Sequence, residues 1–383
     1  MPEPLTPLVI AHRGASGHRP EHTLAAYRLA LETGADGVEA DLVLTADGAV
    51  VARHESELSR TTDVASRPEL ADRRRTREVD GRPVTGWFTE DLTLAEVRTL
   101  RARERMPDLR RASAAHDGAY GVVTLDEVLD LVTAESLRTG RRLGVLAELK
   151  HATHFGRLGL APEEAVLAVL ARYGLDRAGS PVHLQSFEPT CLRRLARRTA
   201  LPLVQLVDLN GRPYDEELAG RGRTFADLLT PSGLREVSTY AEFVGVHKSL
   251  LVPRGPDGRL GRPSTLVQDA ASAGLGVHCW TFRDENAFLP AELRHGSSSG
   301  AHGDAAAEYT VFMSLGVDAI LSDHPGTAVA ARAARHADQR RESSGEASAP
   351  RLARPTEASS PARPAETSST GAATSRPGSP STS

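Results

Sequence analysis

The sequence predicts an α/β fold, a (β/α)8 TIM barrel, from three observations. Eight short apolar runs rich in β-branched residues lie near residues 8, 37, 143, 181, 201, 242, 275 and 318. Helical patterns or long crossovers separate these runs, as parallel strands require. Polar motifs end nearly every run, whereas a doubly wound open sheet, the alternative, gathers them at one switch point. A barrel of ~250 residues forms one domain, so the length of 383 residues does not require two.

The elements follow in order along the chain. After the first strand, residues 23–33 carry Leu24, Tyr27 and Leu31 at helical spacing. The second strand leads through Asp47-Gly48 into an extra, antiparallel strand that ends near His54. Further helices are predicted over residues 92–100, 125–137, 162–173, 189–198, 264–273 and 307–315, the second of them opened by a capping box of Thr124 and Glu127. Loops are predicted at residues 101–119, which are basic and irregular, and at residues 209–231 and 284–306.

Domain organisation follows from two changes in composition. Residues 56–82 are polar without a clear period, so an insertion of about residues 56–90 is expected after the second strand. From residue 337 onward the chain is rich in Ser, Pro, Thr, Ala and Arg, with almost no large apolar residue. Such a segment cannot bury enough surface to offset its ordering entropy. The sequence therefore predicts a barrel domain over residues 1–336 and a disordered tail over residues 337–383.

Composition also limits the classes of function. The chain has 46 Lys and Arg against 50 Asp and Glu, which does not indicate binding to nucleic acid or to an anionic membrane. Two cysteines are too few for a disulfide framework. No run reaches the ~20 apolar residues of a membrane span, so no stable membrane insertion is expected. No secretory signal is visible before the first strand, so the prediction is a soluble cytoplasmic protein, unless a trimmed start hides an export signal.

The predicted hairpin after the second strand brings charged side chains together. A two-residue turn at Asp47-Gly48 would place Asp41 directly opposite His54. Glu39 lies two residues before Asp41 and so faces the same side of the strand. Two carboxylates and an imidazole would then converge on one face, although a solvated hairpin with ordinary surface charges is the alternative.

Strand ends supply the candidate chemistry, because the working residues of such barrels lie at the C-terminal ends of strands. Glu39, Asp41 and Glu148 offer an oxygen-only set that suits Ca²⁺ or Mg²⁺ better than Zn²⁺. The alternative for Glu148 is a simple ion pair with Lys150. His12 and His54 flank these acids and can act as general acid and general base near neutral pH.

The same strand ends carry two cations that suit a phosphate group. Arg13 offers a planar fork for phosphate oxygens, and Lys150 adds a second positive charge. A metal, an arginine and a lysine around one point would stabilise the charge of a phosphoryl transition state. Two further strand-end histidines, His247 and His278, can either contact substrate or pack in the barrel.

These motifs resemble the glycerophosphodiester phosphodiesterase family. The resemblance rests first on HRG at residues 12–14, PEHT at 20–23, EAD at 39–41 with LTADG at 44–48, His54, and ELK at 148–150. Later segments, including LQSF at 184–187, GVHCWTFRDEN at 276–286 and SDHP at 322–325, are most similar to the bacterial calcium-dependent, periplasmic-type branch. The resemblance covers roughly residues 8–329.

The resemblance implies a barrel enzyme that hydrolyses glycerophosphodiesters, its small-molecule substrates, to an alcohol and sn-glycerol 3-phosphate. It implies that His12 and His54 are the acid/base pair and that Glu39, Asp41 and Glu148 bind a divalent cation, Ca²⁺ in preference to Mg²⁺. Arg13 and Lys150 would hold the phosphate, and Phe187 and Trp280 would line the glycerol side. The head group, a cyclic phosphate intermediate and the oligomeric state are left open by the residues.

Three residues depart from the family pattern. Glu55 follows His54 where the family usually has Asp, His22 replaces the common Asn of the PE-x-T motif, and Cys279 stands where a proline is expected before Trp280. Two other functions are alternatives to the diesterase. A sphingomyelinase-D-like enzyme would need an apolar docking rim, but the predicted loops are polar and charged. A non-catalytic binding protein would be expected to have lost a histidine or an acid of the set, and none is lost.

Overall fold

The computed structural model of the chain describes residues 6–344. Within that range the strands are β1 (Leu8–Ala11), β2 (Gly37–Leu44), β3 (Val50–Ala52), β4 (Arg75–Val79), β5 (Arg82–Gly86), β6 (Gly144–Leu149), β7 (Val182–Ser186), β8 (Leu203–Val207), β9 (Phe243–His247), β10 (Gly276–Phe282) and β11 (Ala319–Ser322). The α-helices are α1 (Leu24–Glu32), α2 (Leu94–Val97), α3 (Arg111–Ala114), α4 (Leu125–Thr139), α5 (Ala152–Arg157), α6 (Pro162–Arg172), α7 (Pro189–Leu195), α8 (Tyr214–Leu218), α9 (Phe225–Leu228), α10 (Pro231–Val237), α11 (Lys248–Leu251), α12 (Leu266–Ser272), α13 (Ala305–Ser314) and α14 (Pro325–Ser344). Short 3₁₀ turns lie at Val64–Ser66, Pro68–Arg73, Thr89–Asp91 and Ala291–Leu293.

Eight of these strands close into a parallel barrel. Their order around the ring is β1, β2, β6, β7, β8, β9, β10 and β11, and β1 pairs with both β2 and β11. Each of the eight predicted strand positions is occupied by one of these strands. The predicted TIM barrel is therefore confirmed, and the open-sheet alternative is wrong, because the ring leaves no edge among these strands.

The core has two parts because barrel side chains alternate between inside and outside. Ile10, Leu146, Ala319 and Leu321 pack inside the ring, with Trp280 against them at the mouth. Outward-facing apolar residues of the strands pack beneath the surrounding helices in one continuous cluster. On the helix side, this cluster includes the buried residues Tyr27 of α1 and Phe312 of α13. The ring is thus a filled scaffold that leaves the polar strand ends for the site.

Local signals set most helix boundaries. Thr23 accepts a hydrogen bond from Ala26 N at the start of α1, and both bonds of the predicted Thr124–Glu127 capping box are present at α4. Some predicted helices and loops differ from the structure. The helix expected at residues 92–100 is only the single turn α2. The loop expected at residues 101–119 contains the single turn α3, and the loop expected at residues 209–231 contains α8 and α9. One-turn helices do not repeat an apolar spacing, so periodicity does not detect them.

The hairpin between β2 and β3 has a register different from the predicted one. Leu44 pairs with Val50, and Thr45 N donates to Ala49 O, so the loop has three residues rather than two. Gly48 closes it with φ of +78°, which is the left-handed last position of a three-residue hairpin loop. Arg53 N donates to Asp41 O at 2.8 Å. The predicted pairing of Asp41 with His54 is therefore wrong, and His54 lies just beyond the pair.

The insertion and the C-terminal segment also differ in detail from the prediction. Part of the insertion, whose sequence is polar without a clear period, forms an antiparallel hairpin, with Arg75 paired to Gly86 and Val79 to Arg82. The last helix, α14, runs to Ser344, so residues 337–344 are helical although they were assigned to the tail. The rest of the predicted tail, residues 345–383, lies outside the described residues. Between residues 6 and 344, no helix has both the length and the apolarity to cross a bilayer.

Candidate active site

Three carboxylates from neighbouring strands meet at the C-terminal end of the barrel. Glu39 and Asp41 lie on β2, and Asp41 is in register with Glu148 on β6. One oxygen from each of the three lies within 4.8 Å of the others, and all three side chains are buried. Parallel pairing between adjacent strands produces this cluster, because in-register residues face the same side of the sheet.

The charges of this cluster are not balanced by protein groups alone. Burial, together with the Asp41 and Glu148 carboxylates, raises the pKa of Glu39 well above its usual range. Burial, opposed by the Lys150 cation, raises the pKa of Glu148 to about 7. Asp41 Oδ1 and Glu148 Oε1 are buried without a well-formed hydrogen bond, although Lys150 Nζ lies 3.4 and 2.7 Å from them. Buried oxygens of this kind fit a hard divalent cation.

Each of the two predicted catalytic histidines forms a hydrogen bond through Nδ1 with a carboxylate. His12 Nδ1 donates to Asp323 Oδ1 at 2.5 Å, and His54 Nδ1 donates to Glu55 Oε1 at 2.8 Å. These bonds hold the Nδ1 proton and leave Nε2 of each neutral ring free to accept a proton. Burial first and the Arg13 charge second lower the pKa of His12 to about 4 and that of His54 to about 3.

The two predicted phosphate cations lie beside the carboxylates. Arg13 Nη1 donates to Glu21 Oε2 at 3.2 Å, and Arg13 Nε lies 3.3 Å from Asp41 Oδ2. The backbone of Arg13 is left-handed, with φ of +60°, and its N–H donates to Glu39 Oε2 at 3.1 Å. Lys150 Nζ lies 5.7 Å from the centre of the Phe187 ring. Both cations are therefore within one site with the acids.

An open cleft of about 660 Å³ leads to these groups. It is lined by His54, Glu148 and Lys150 and by the two predicted aromatic residues, Phe187 and Trp280. Those two rings meet edge to face, with centres 5.9 Å apart. The cleft thus has a charged end and an aromatic wall, which suits a small molecule with a phosphate group and an aliphatic part.

Comparison with known proteins decides the family. The model of the glycerophosphoryl diester phosphodiesterase family matches residues 12–327, which is most of the barrel and includes every residue of the site.

The chain belongs to the glycerophosphoryl diester phosphodiesterase family. Curated relatives agree with this assignment and bear the name of the enzyme. The Arabidopsis thaliana glycerophosphodiester phosphodiesterase GDPD6 is 32% identical over 334 residues, which cover 84% of each chain. The Haemophilus influenzae glycerophosphodiester phosphodiesterase is 28% identical over 327 residues, covering 78% of this chain and 87% of that one. The chain is accordingly an enzyme, a glycerophosphodiester phosphodiesterase.

Solved structures confirm the barrel fold of the family. A Silicibacter pomeroyi protein matches with a TM-score of 0.61 at 24% identity, covering 87% of this chain and 95% of that one. An Oleispira antarctica phosphodiesterase, solved in complex with sn-glycerol-3-phosphate, matches with a TM-score of 0.55 at 21% identity, covering 85% and 96%. At such identities the likeness concerns the fold alone.

Sequence reasoning missed several residues of this phosphodiesterase site. His22 Nε2 donates to Asp41 Oδ2 at 2.9 Å while its Nδ1 accepts from the Tyr27 hydroxyl, so His22 orients one of the acids. Asp323 belongs to the SDHP segment, but the sequence did not identify it as the partner of His12. Arg105 and Arg110 come from the irregular basic loop. The sequence signal for these two arginines is the basic composition of the loop, which does not identify the carboxylates that they contact.

The other strand-end histidines have different surroundings. His278 is buried inside the barrel, where its ring lies 4.6 Å from Phe243 and 5.6 Å from His183, so it packs. His247 lies beside Trp280, with ring centres 5.3 Å apart, and therefore borders the aromatic wall of the cleft.

A second group of ligand-type residues, Asp284, His302 and His324, is less suited to a metal. His324 Nδ1 already accepts a hydrogen bond from Asp284 N at 3.3 Å, so this nitrogen is not free for a cation, and His302 is exposed.

Proposed function

We propose that the chain hydrolyses glycerophosphodiesters to an alcohol and sn-glycerol 3-phosphate, using a divalent cation and the two histidines His12 and His54. The observation that supports this most is the convergence of three kinds of group on one barrel mouth. His54, Glu148 and Lys150 line one open cleft. Glu39 and Asp41 cluster with Glu148, Arg13 lies beside Asp41, and His12 Nε2 lies 3.9 Å from Glu39 Oε2. Family membership supplies the reaction class, and these side chains supply a way to perform it.

Glu39, Asp41 and Glu148 would hold the cation. Their oxygen-only set favours Ca²⁺ or Mg²⁺, and we propose Ca²⁺ because the later segments of the chain resemble the bacterial calcium-dependent, periplasmic-type branch. When bound, the cation would neutralise phosphate charge and lower the pKa of the attacking oxygen. His22 fixes the orientation of Asp41, because His22 Nε2 donates a hydrogen bond to the Asp41 carboxylate.

His12 and His54 would move the protons. One neutral imidazole takes a proton at Nε2 from the attacking hydroxyl, of water or of the substrate's glycerol, and the other imidazole, protonated at Nε2, gives that proton to the leaving alcohol. If the glycerol hydroxyl attacks, water then opens the resulting cyclic phosphate to give sn-glycerol 3-phosphate. Asp323 and Glu55 hold the rings and stabilise the imidazolium form of each. Burial is the largest cause of the lowered pKa of His54, and the positive charges of Arg13 and Lys150 are the next largest. A bound phosphodiester offsets these charges and so favours the protonated ring that the general acid needs.

Arg13 and Lys150 would bind the phosphate oxygens, and Phe187 and Trp280 would contact the glycerol. Arg13 is held from the other side by Glu21 and Asp41, which fixes the guanidinium plane. Trp280 lines the cleft, and its ring meets Phe187 edge to face.

One set of assays tests this proposal. The protein is incubated with glycerophosphocholine in EDTA, Ca²⁺ or Mg²⁺ is then added back separately, and release of glycerol 3-phosphate is followed. Activity should be lost in EDTA and return more fully with Ca²⁺. His12→Ala and His54→Ala should each lower kcat by about 10²- to 10⁴-fold, the usual contribution of general acid–base catalysis.

The matched control is His295→Ala, because His295 is exposed. It should leave turnover unchanged. Unchanged activity in EDTA would refute the metal requirement, and near wild-type turnover of either active-site histidine variant, with the control intact, would refute the acid/base assignment.

A further inference from the structure

The basic loop at residues 101–119, called here the arginine loop, reaches both histidine–carboxylate pairs. Its first contribution is Arg105, which makes two bidentate contacts. Arg105 Nε and Nη2 each donate to Glu21 at 2.6 Å, and Nη1 and Nη2 each donate to Glu55 at 2.7 Å. Glu55 is the carboxylate that holds His54, so Arg105 fixes the group that orients this ring.

The second contribution of the arginine loop is Arg110, five residues later. Its Nη2 donates to Asp323 Oδ2 at 2.6 Å, while the other oxygen of Asp323 accepts from His12. Its Nε donates to Glu285 Oε1 at 2.6 Å, and its Nη1 donates to Ser16 O at 3.0 Å. Arg283 also donates to Asp323 Oδ2. Arg110 is therefore fixed on three sides and holds the carboxylate behind His12.

These two arginines differ from others in the same loop. The Arg105 and Arg110 side chains are only 11% and 4% exposed, whereas Arg103 and Arg111 are exposed. Burying a guanidinium and its carboxylate partners takes charges out of water, and well-packed apolar residues would often stabilise a fold equally well. A stabilising role alone does not explain why each buried arginine holds the carboxylate of a different histidine.

We propose that Arg105 and Arg110 are positioning residues, and that the arginine loop sets the orientation of both histidines at once. The proposal rests on the acid/base roles of His12 and His54 given above. Arg105 acts through Glu55 on His54, and Arg110 acts through Asp323 on His12. Because Arg105 also holds Glu21, which contacts Arg13, its effect extends to one of the phosphate cations.

The test uses the conservative variants Arg105→Lys and Arg110→Lys. Lysine keeps the charge, which protects the fold, but it lacks the planar fork that joins two carboxylates. Each variant should lower kcat by about 10- to 100-fold, the range seen for groups that orient catalytic ligands. Arg103→Lys and Arg111→Lys are the matched controls and should leave kcat unchanged. Circular dichroism and thermal melting establish that the compared proteins are folded.

Two substrates distinguish positioning from general destabilisation. Glycerophosphocholine has a poor leaving group that needs a proton, whereas the p-nitrophenyl ester of glycerol phosphate releases an anion that does not. Loss of the general acid should therefore spare the p-nitrophenyl ester, and loss of the general base should impair both substrates. We expect Arg105→Lys to share the substrate pattern of His54→Ala, and Arg110→Lys to share that of His12→Ala.

The outcomes separate this proposal from the proposed function. If both histidine variants retain turnover, the acid/base assignment itself fails. If the histidine variants are inactive but the two lysine variants match their controls, the arginine loop has no positioning role. The two histidine variants are expected to differ in the ratio of their activities on the two substrates. If they do, but each lysine variant loses activity on both substrates in equal proportion, the loop acts only on stability.

Discussion

At the scale of single residues, His12 depends on one carboxylate. Asp323 Oδ1 accepts from His12 Nδ1, and Asp323 Oδ2 accepts from Arg110 and Arg283. Although burial opposes ionisation, the Arg283 and Arg110 cations hold the pKa of Asp323 well below its usual range. The carboxylate thus stays charged, and the two arginines fix which of its oxygens faces the histidine.

Asp323→Asn tests this arrangement. The two guanidiniums should keep the amide oxygen on their side, so the amide NH₂ would face His12 Nδ1 and force the proton to Nε2. We expect kcat to fall by about 10²- to 10⁴-fold, as the wrong tautomer removes the proton acceptor. The measurement is kcat for glycerophosphocholine on folded protein.

The control for that variant lies at the opposite end of the same strand. Asp318 accepts from Val277 N at 2.7 Å and is remote from the chemistry. Asp318→Asn should change stability without changing kcat. Equal kcat values for the two asparagine variants would contradict the role given to Asp323.

At the scale of elements, the β2–β3 hairpin brings His54 to the site, and its three-residue loop ends in a left-handed residue. Gly48 carries the positive φ of +78°, and a Cβ placed there would meet no neighbouring atom. The requirement for glycine is therefore conformational rather than steric. A β-carbon in this region costs about 1–2 kcal/mol, and asparagine tolerates it better.

Gly48→Ala should accordingly lower the free energy of unfolding by about 1 kcal/mol, whereas Gly48→Asn should lower it less. Urea denaturation followed by circular dichroism measures both. The kcat of each folded variant should match the wild type, because the register is held by the strand pairs. If Gly48→Ala is more stable than Gly48→Asn, the loop does not require a left-handed backbone at residue 48.

The same hairpin shows what the sequence could not predict. Asp-Gly fits both a two-residue and a three-residue loop, and the choice depends on Thr45, whose side chain accepts from Ala49 N. The eight barrel strands were predictable because each is a short apolar run with its own boundaries. The arginine contacts were not, since Arg110 and Asp323 are 213 residues apart and no local pattern links them.

At the scale of the whole molecule, cation binding at the carboxylate cluster would stabilise the folded chain. Three buried acids repel one another, and a cation that binds only the folded chain stabilises it by about 2.7 kcal/mol at a concentration 100-fold above its Kd. We expect Ca²⁺ to raise Tm by a few degrees relative to EDTA, as measured by calorimetry.

Glu148→Gln removes one charge from the cluster. In EDTA this variant should melt no lower than the wild type, because part of the repulsion is gone, and Ca²⁺ should raise its Tm little or not at all. Glu164→Gln, on an exposed residue of α6, should respond to Ca²⁺ as the wild type does. A full Ca²⁺ response in Glu148→Gln would exclude this cluster as the binding site.

The pairing of β1 with β11 also gives the enzyme a built-in order of assembly. His12 and Asp323 are 311 residues apart, so a ribosome adding about 5–20 residues per second makes His12 roughly 15–60 s before its partner. A nascent or prematurely terminated chain that lacks β11 has no carboxylate behind this ring. We therefore expect hydrolysis to begin only when β11 joins β1, so that the appearance of activity during synthesis would report the closure of the barrel.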